Sequence, residues 1–404
     1  MPTVMVILPS ATYRASDFVD AAVDLGLDLV VASDAGHGLA GTAGDGFLEV
    51  DCDDAEEAAA AIVAFAAGRP LDAVVAADDG GVVAAALAAE RLGLPHNPPD
   101  AARATRDKAV MRDRLAAAGV PQPAYALLEA GVPSLSLPGF PCVINPLDLA
   151  GSRGVIRADD PDALEAAVGR IRAILGDAGR PADAPLIVEE YVPGDEVVVE
   201  GLMGPEGLEV LALLDKPDPL VGPFFEETMF VTPSRLPPER EEAVVDATRR
   251  AVEALGLQFG PIHAELRIDG DRVVVIEVAA RSIGGLCGRS LRFGLLGTSL
   301  EHLLLRAALG LPRRAMDRRA QAAGVMMLPI PSEGVLRRIG WQEAAMEVPG
   351  ITGLEITIPI GEWVRPLPEG DRYLGFLFAA ADEPSEVEGA LREAHDVLDI
   401  EIAP

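Results

Sequence analysis

A pair of predicted strands between residues 261 and 281 constrains the fold of this chain most strongly. Polar and apolar side chains alternate from 263 to 268, and 273–278 is apolar apart from Glu277. The Asp-Gly pair at 269–270 is typical of a tight hairpin turn. Because side chains alternate between faces along a strand, a turn with an odd number of residues would place Glu265 and Glu277 on one face, across adjacent strands.

Two carboxylates at that spacing repel each other unless a cation lies between them. Hard oxygen ligands suit Mg²⁺, with Mn²⁺ as a second candidate, and Mg²⁺ usually takes one or two carboxylates together with substrate phosphates. Glu265 and Glu277 are therefore candidate metal ligands. Arg281 and the pair Gly284 and Gly285 follow shortly afterwards. On this stretch alone, an ordinary edge hairpin with solvated acids is the alternative.

Length and composition limit the class of protein. A chain of 404 residues is too long for one core, so two to four domains are expected. Half of the residues are hydrophobic, but no long apolar run is free of polar breaks and the N-terminus lacks a basic flank, so we expect a cytoplasmic protein that contacts no membrane. Cys52, Cys142 and Cys287 lack metal or disulfide spacing. The net charge of −31 argues against a nucleic-acid partner, since phosphates would be repelled.

Strands alternate with helices over the first hundred residues. The apolar patterns predict strands at 4–8, 29–31 and 73–76, and helices at 18–25, 55–67 and 82–92. This alternation predicts a parallel sheet covered on both faces. Ligands of such sheets bind at the carboxyl ends of the strands, here near Ser10, Ser33, Asp78 and Asp79. No Gly-x-Gly-x-x-Gly follows the first strand, which disfavours a dinucleotide role.

Weaker signals occupy the middle of the chain. Lys108 stands near the start of a predicted helix at 105–115, and Asn145 lies in a strand at 141–146. The small residues around Arg153 form a loop whose N–H groups can cradle phosphate oxygens, although such turns are common. Two further strands, within 186–199, surround a Pro-Gly turn and carry acids at 189, 190 and 196. Buried acids need partners, so these positions indicate a polar site.

In this order and spacing, the motifs resemble the ATP-grasp superfamily, whose members join a carboxylate to an amine or another nucleophile through an acyl phosphate. The segments 214–217, 226–228, 277–281 and 372–376 most resemble the L-amino-acid (dipeptide) ligases. The resemblance implies a multidomain fold of the α/β and α+β classes. Its predicted parts are an N-terminal parallel α/β domain (1–104), a small lid subdomain (105–185), a large subdomain with the metal and phosphate site (186–313) and a C-terminal α+β domain (314–404).

The resemblance also implies an ATP site. The matching positions are Lys108, Asn145, Ser152, Arg153, Gly154, Glu189, Glu190, Tyr191, Val192 and Glu196. Lys108 would contact phosphate, and 152–154 would form the loop that closes over it. Glu189 would accept from the adenine amino group, the backbone of 190–192 would read the adenine edge, and Glu196 would hold the ribose hydroxyls.

On the same basis, Glu265 and Glu277 would carry Mg²⁺, and Arg281 would stabilise charge on the transferred phosphoryl group and the acyl phosphate. The positions implied in substrate binding are Glu227, facing the amino group of the first amino acid, with Gly284 and Gly285 against the substrate. The expected partners are amino acids or small carboxylates and amines, and a homodimer is left open.

Two positions depart from the family pattern. Many ATP-grasp enzymes have lysine where this chain has Asn145, and asparagine where it has Ala279, although the amino-acid ligases commonly lack the second. Asn145 removes a cation that normally touches the nucleotide phosphates. It therefore leaves open an ATP-binding sensor or an inactive partner subunit without turnover. Another ATP-grasp ligase or a carboxylase is an alternative within the same class.

Overall fold

The structure is a computed structural model that describes residues 1–9, 12–34, 46–129, 137–312 and 317–404. Ser10 and the predicted boundary between 313 and 314 lie outside the described residues. Within these ranges, no helix has both the length and the apolar character needed to cross a bilayer.

The N-terminal unit is a parallel sheet. Its strands are β1 (Thr3–Ile7), β2 (Asp28–Ser33), β3 (Phe47–Glu49) and β4 (Ala73–Ala76), in the order β3-β2-β1-β4. All three strand pairs are parallel, which confirms the predicted sheet. Its connecting helices are α1 (Ala15–Leu25), α2 (Ala55–Gly68) and α3 (Val82–Leu92). A short 3-10 helix, Asp79–Gly81, follows β4 and places Asp79 at the carboxyl end of the sheet.

A second unit of four strands follows two short helices, α4 (Pro99–Ala104) and α5 (Lys108–Ala117). Its strands are β5 (Tyr125–Leu128), β6 (Cys142–Pro146), β7 (Ile156–Ala158) and β8 (Leu186–Glu190), and its helix is α6 (Pro161–Asp177). The order is β5-β8-β6-β7, so β8 is a central strand of this sheet. We call this four-stranded sheet, β5-β8-β6-β7, the lid sheet. It extends past the predicted boundary at residue 185, because β8 forms hydrogen bonds with both β5 and β6.

An eight-stranded sheet dominates the rest of the chain. Its strands are β9 (Asp195–Gly204), β10 (Gly207–Asp215), β11 (Met229–Thr232), β12 (Gly260–Asp269), β13 (Arg272–Ala279), β14 (Ala322–Leu328), β16 (Ile351–Ile356) and β18 (Gly375–Ala381). The order is β13-β12-β9-β10-β11-β14-β18-β16. Strands from both sides of the predicted boundary at 313 thus share one sheet. The helices α7 (Pro238–Leu255) and α8 (Leu300–Ala308) connect its strands.

A three-stranded sheet completes the C-terminal region. It contains β15 (Gly334–Gly340), β17 (Trp363–Val364) and β19 (Asp399–Ala403), with β15 in the centre. The helices of this region are α9 (Gln342–Met346) and α10 (Pro384–Val397). Together with strands β14, β16 and β18, these elements enclose a separate apolar core. The α+β character predicted for the C-terminal region is confirmed.

The hairpin of β12 and β13 forms as predicted, but its register arises differently. Asp269 pairs with Arg272, so the turn has two residues and not an odd number. A register shift then occurs between Leu266, opposite Val275, and Glu265, opposite Glu277. The extra residue in β13 is Ile276. Because this bulge shifts the pairing by one position, Glu265 and Glu277 stand directly opposite each other, as the alternation pattern requires.

The two faces of this part of the large sheet differ in character. One face carries Val197, Val199, Ile262, Ala264 and Leu266, which are buried in an apolar core with α7 and α5. The opposite face carries cross-strand polar pairs, since residues directly opposite each other share a face. The pairs are Glu196 with Arg267, His263 with Glu200, and Glu265 with Glu277. The fold thus supplies a polar surface on a rigid, well-packed support.

Candidate active site

A cleft of about 760 Å³, open on one side to solvent, lies between the lid sheet and the polar face of the large sheet. Eleven of the sixteen predicted site residues line it: Lys108, Asn145, Ser152, Glu189, Glu190, Tyr191, Val192, Glu196, Glu227, Glu265 and Glu277. Arg153, Gly154, Arg281, Gly284 and Gly285 are not part of its lining. Although β8 and β9 are adjacent in sequence, they belong to different sheets, so Glu189 and Glu196 approach the cleft from opposite walls.

Glu189 is buried and has two partners in the protein. Arg112 Nε donates to Glu189 Oε1 at 2.6 Å, and Asn145 Nδ2 donates to Glu189 Oε2 at 2.7 Å. Arg112 also donates to the carbonyl oxygen of Ile276, the bulge residue, at 2.6 Å. Since a carboxylate accepts up to about four hydrogen bonds, Glu189 keeps capacity for a further donor. Its contact with adenine stays a prediction.

Lys216 stands at the centre of three carboxylates. Its Nζ lies 2.6 Å from Glu196 Oε1 and 3.3 Å from Glu265 Oε1, and it also donates to Glu227. Burial lowers the pKa of Lys216, but the three acids together raise it well above its ordinary value. Burial and the neighbouring Glu265 raise the pKa of Glu227 to about 7, although Lys216 lowers it. This lysine neutralises part of the charge that the cleft concentrates.

The cross-strand pairs hold the polar face in place. Arg267 Nε donates to Glu196 Oε2 at 2.7 Å, and Arg267 Nη1 donates to the Val192 carbonyl oxygen at 2.7 Å. His263 bonds to Glu200 through Nδ1, and its Nε2 lies 3.2 Å from Glu265 Oε1. Burial lowers the pKa of His263, but the two carboxylates raise it to about 9, so the imidazole is protonated at neutral pH.

A divalent cation fits the donor set of this face. Carboxylate oxygens of Glu196, Glu227 and Glu265 lie within 4.8 Å of one another, but Lys216 Nζ contacts all three and already neutralises part of their charge. Glu277 stands opposite Glu265. Lys108 Nζ is 3.4 Å from Glu277 Oε2, at the first residue of α5. Hard carboxylate oxygens beside a space open to phosphates are the ligands that Mg²⁺ prefers. The assignment of Glu265 and Glu277 as its ligands stays a prediction.

The predicted closing loop has a distinctive backbone. Gly151, Ser152 and Gly154 all have positive φ (65°, 57° and 75°), and a Cβ on Gly154 would lie 2.9 Å from Pro146 Cγ. The Gly154 N–H donates to the Pro368 carbonyl oxygen at 3.0 Å, and Arg153 faces Asp371 at 3.8 Å. The loop therefore contacts the C-terminal region, while Ser152 lines the cleft.

Arg281 is held by the N-terminal domain. Its Nε and Nη2 lie 3.0 and 2.9 Å from Asp79 Oδ2, and Arg106 approaches the other oxygen at 3.4 Å. Burial would raise the pKa of Asp79, but Arg281 and Arg106 lower it to about 2. Asp79 is thus ionised at neutral pH and fixes the guanidinium at the edge of the polar face.

The loop after Arg281 is anchored by a buried ion pair. Arg14 donates to Glu301 Oε1 at 2.7 Å, to Ser282 Oγ at 2.9 Å and to the Ile283 carbonyl oxygen at 3.1 Å. Further along, Gly285 has φ +56°, and a Cβ there would lie 2.9 Å from Phe376 Cζ. A Cβ on Gly284, in contrast, would meet nothing within 4 Å. The loop is thus held by Arg14 and packs closely on Phe376 at Gly285, but it has open space at Gly284.

Several site residues lay outside the set predicted from sequence. Arg267 and His263 alternate with Glu265 in one strand, so their shared face was available as a signal. Lys216 lies in the segment 214–217, which carries part of the resemblance, but no function was predicted for it from that segment. Arg112 reaches the site from a distant element, 77 residues from Glu189, which no local pattern reveals. Asp79 was expected near a ligand at the sheet edge, but its contact with Arg281, 202 residues away, was not predicted.

Comparison with known proteins gives the family. A model of the ATP-grasp domain matches residues 138–290, one of the ATP-grasp N-terminal domain matches 19–96, and one described as L-amino acid ligase C-terminal domain 2 matches 326–403. This chain belongs to the ATP-grasp superfamily. The third match and the relatives below make it an L-amino-acid-ligase-like member.

Three known proteins illustrate the similarity. The alanine–anticapsin ligase of Bacillus subtilis (strain 168) is 32% identical over 57% of this chain and 52% of its own length. The D-alanine–D-alanine ligase of Gloeobacter violaceus is 30% identical over 50% of this chain and 67% of its own length. The crystal structure of L-amino acid ligase from Bacillus licheniformis superposes with a TM-score of 0.81 at 24% identity, covering 100% of this chain and 99% of that one. This ATP-grasp chain spans about half the length of the alanine–anticapsin ligases that it matches.

Proposed function

We propose that this protein is an ATP-dependent carboxylate–amine ligase that joins two amino acids, or an amino acid and a related amine, with release of ADP and phosphate. The observation that carries the proposal is the cleft between two sheets, with a carboxylate pair and Lys108 on its walls and Lys216 buried beside its acids. The names of the relatives, which include an alanine–anticapsin ligase and carnosine synthase 1 of Gallus gallus, support an amine and a carboxylate as substrates.

ATP would occupy the cleft with its base against the segment 190–192, at the end of the lid strand β8. The Val192 N–H has no hydrogen-bond partner among the described residues, whereas the Glu190 and Tyr191 N–H groups donate to carbonyl oxygens of Ala124 and Pro141. A free N–H beside an apolar wall suits the edge of a base. Glu196, fixed by Lys216 and Arg267, would accept from the ribose hydroxyls.

Phosphates would lie toward Lys108, the 150–155 loop and the acidic pair. Glu265 and Glu277 would hold Mg²⁺, which neutralises charge on the phosphates when it is bound. Lys108 and Arg153 supply two further positive charges from the lid side. The backbone of the loop has three left-handed residues, and Ser152 faces the cleft.

The proposed reaction has two steps. An oxygen of the first substrate's carboxylate attacks the γ-phosphorus, a C–O–P linkage forms, and ADP leaves. The amine of the second substrate then attacks the carbonyl carbon, a C–N bond forms, the C–O bond to phosphate breaks, and the amine loses a proton. Arg281 stabilises negative charge at the acyl phosphate, and Glu227 receives the ammonium of the first amino acid. Positioning and charge neutralisation account for most of the catalysis.

The alternative is a nucleotide-binding protein without turnover, which Asn145 alone favours. Release of ADP, measured with and without mixtures of amino acids, separates the two functions. Amino-acid-dependent release with a condensation product in the mass spectrum supports the ligase. Tight ATP binding without such release under any mixture supports the binding protein. A screen of single amino acids and pairs, read out by phosphate release, then identifies the substrates.

A further inference from the structure

A second cleft, of about 1000 Å³, lies where the 3-10 helix Cys287–Ser290 meets β16 and β18. It shares no lining residue with the nucleotide cleft. Four of its lining residues are arginines: Arg289, Arg292, Arg318 and Arg319. The chain carries 64 acidic and 33 basic residues, so this cleft reverses the sign of charge that prevails over the molecule.

Carboxylates compensate one of the four arginines. Arg289 binds Asp17 Oδ1 at 2.8 Å and Glu355 Oε2 at 3.2 Å. Within the described part of the chain, the other three have no acid at ion-pair distance, whereas buried Arg14, Arg112 and Arg267 each have one. Three positive charges of the cleft therefore lack a counter-ion among the described residues.

The three arginines keep most of their donors free. Each guanidinium carries five N–H donors. Each guanidinium donates to only one or two backbone carbonyl oxygens, all neutral, at 2.6–3.3 Å: one for Arg292, one for Arg318 and two for Arg319. Ser290 and Gln321 add polar groups to the lining, and the apolar floor includes Leu354 and Phe378. Planar forks on an apolar floor are suited to bidentate bonds with carboxylate or phosphate.

The backbone holds these side chains side by side. The Arg319 N–H donates to the Arg292 carbonyl oxygen at 2.9 Å, and Phe293 forms bridges with both Arg318 and Thr298. Gly297, with φ +70°, provides the space that the Arg319 guanidinium fills, since a Cβ there would lie 2.9 Å from it. The cluster is built into two paired segments, in which Arg292 and Arg318 are half-buried and Arg319 is exposed.

Electrostatics agree with this geometry. Burial lowers the pKa of Arg292, and its neighbours Arg289 and Arg319 lower it further, against opposing effects of Glu301 and Asp17. Burial also lowers the pKa of Arg318. The charged forms of these groups are therefore disfavoured by their surroundings, and a bound anion would relieve that cost.

We propose that this cleft is a binding site for a small oxyanion with two or more negative charges. Its chemistry is that of a pyrophosphate or phosphate ester, or of a di- or tricarboxylate, since three uncompensated guanidiniums accept either. The site is separate from the nucleotide cleft and does not depend on the ligase activity.

The test is calorimetric titration of pyrophosphate and of citrate into the full-length protein at low ionic strength. Thr352 is exposed and lines the cleft without contacting the arginines through a hydrogen bond, so Thr352→Glu adds a negative charge there. Thr352→Glu should weaken binding by roughly tenfold or more, because the added charge repels the anion. Thr352→Gln, the neutral control of similar size, should bind like the wild type.

The double variant Arg292→Gln with Arg319→Gln removes two guanidiniums and should weaken binding to a similar or greater extent. Arg338→Gln, at an arginine outside the cleft that pairs with Asp399, is the control for loss of an arginine elsewhere. Tighter binding of pyrophosphate than of citrate identifies phosphate chemistry, and the reverse identifies a polycarboxylate. Equal affinity of Thr352→Glu and Thr352→Gln for both anions, or no binding of either anion to the wild type, overturns the proposal.

Discussion

Asn145 donates from Nδ2 to Glu189 Oε2 at 2.7 Å, and Arg112 binds the other oxygen of the same carboxylate. The residue that departs from the family pattern is thus part of a buried, hydrogen-bonded group on the lid wall of the cleft. Asparagine supports the position of Glu189 without adding a positive charge. Asn145 also lines the cleft, where its amide can offer only a neutral interaction.

We expect Asn145→Lys to tighten ATP binding by about 1–2 kcal/mol, since hydrogen bonds to charged groups exceed neutral ones by about that amount. A lysine could keep the contact with Glu189 while adding charge toward the phosphates. Turnover should rise as well if phosphate alignment limits the native rate. Calorimetric titration of ATP into both forms measures the effect. An unchanged or weaker affinity would mean that the site has been rebuilt around asparagine.

Glu277→Gln should remove most of the turnover, because it deletes one metal-ligand charge beside the phosphates while preserving shape. Glu206→Gln is the control, since Glu206 is exposed at the turn between β9 and β10. Rates are compared over a series of Mg²⁺ concentrations, and the Glu277 variant should need more Mg²⁺ than the control. Near wild-type turnover at ordinary Mg²⁺ would remove Glu277 from the metal site.

Arg281→Ala should raise the barrier by roughly 2–4 kcal/mol, as expected for loss of a group that stabilises developing negative charge. Asp79→Asn should lower kcat in the same direction but by less, because it releases the guanidinium without removing it. Amino-acid and ATP KM values are measured alongside kcat. If both variants keep the wild-type kcat, the Arg281–Asp79 pair serves only to hold the two domains together.

Glu227→Ala should weaken the apparent affinity for one amino acid while ATP affinity stays the same, because Glu227 is assigned to the substrate ammonium. Glu226→Ala is the neighbouring control: that residue is half-buried, but it is outside the Lys216 cluster and the cleft lining. Steady-state titrations of each substrate provide both constants. Equal losses for ATP and amino acid would show that Glu227 belongs to the metal and Lys216 cluster instead.

The hairpin illustrates what the sequence could predict. Alternating polarity identified the two strands and the facing carboxylates, since this pattern reflects burial of one face. The Asp-Gly pair was a signal for the two-residue turn. The bulge could not be predicted, because Ile276 belongs to an apolar run in which any residue could be the extra one. The pairing of Glu265 with Glu277 is therefore correct, while the reason expected for it is wrong.

The partners of the buried acids show which contacts the sequence could not predict. The sequence indicated that acids at 189 and 196 need partners, and the structure supplies Arg112, Lys216 and Arg267. Arg112 lies on α5 and meets Glu189 only when that helix packs beside β8. Such contacts depend on how separate elements pack together, which periodicity within one element does not encode.

Isotope transfer from a labelled carboxylate tests the proposed ligase most directly. A substrate amino acid with ¹⁸O in its carboxylate is incubated with ATP, Mg²⁺ and the amine, and the phosphate released is analysed by mass spectrometry. If an acyl phosphate forms, one ¹⁸O atom passes from the carboxylate to the phosphate for each molecule of product. Phosphate that carries no ¹⁸O, released with ADP whether or not amino acids are present, would contradict the account.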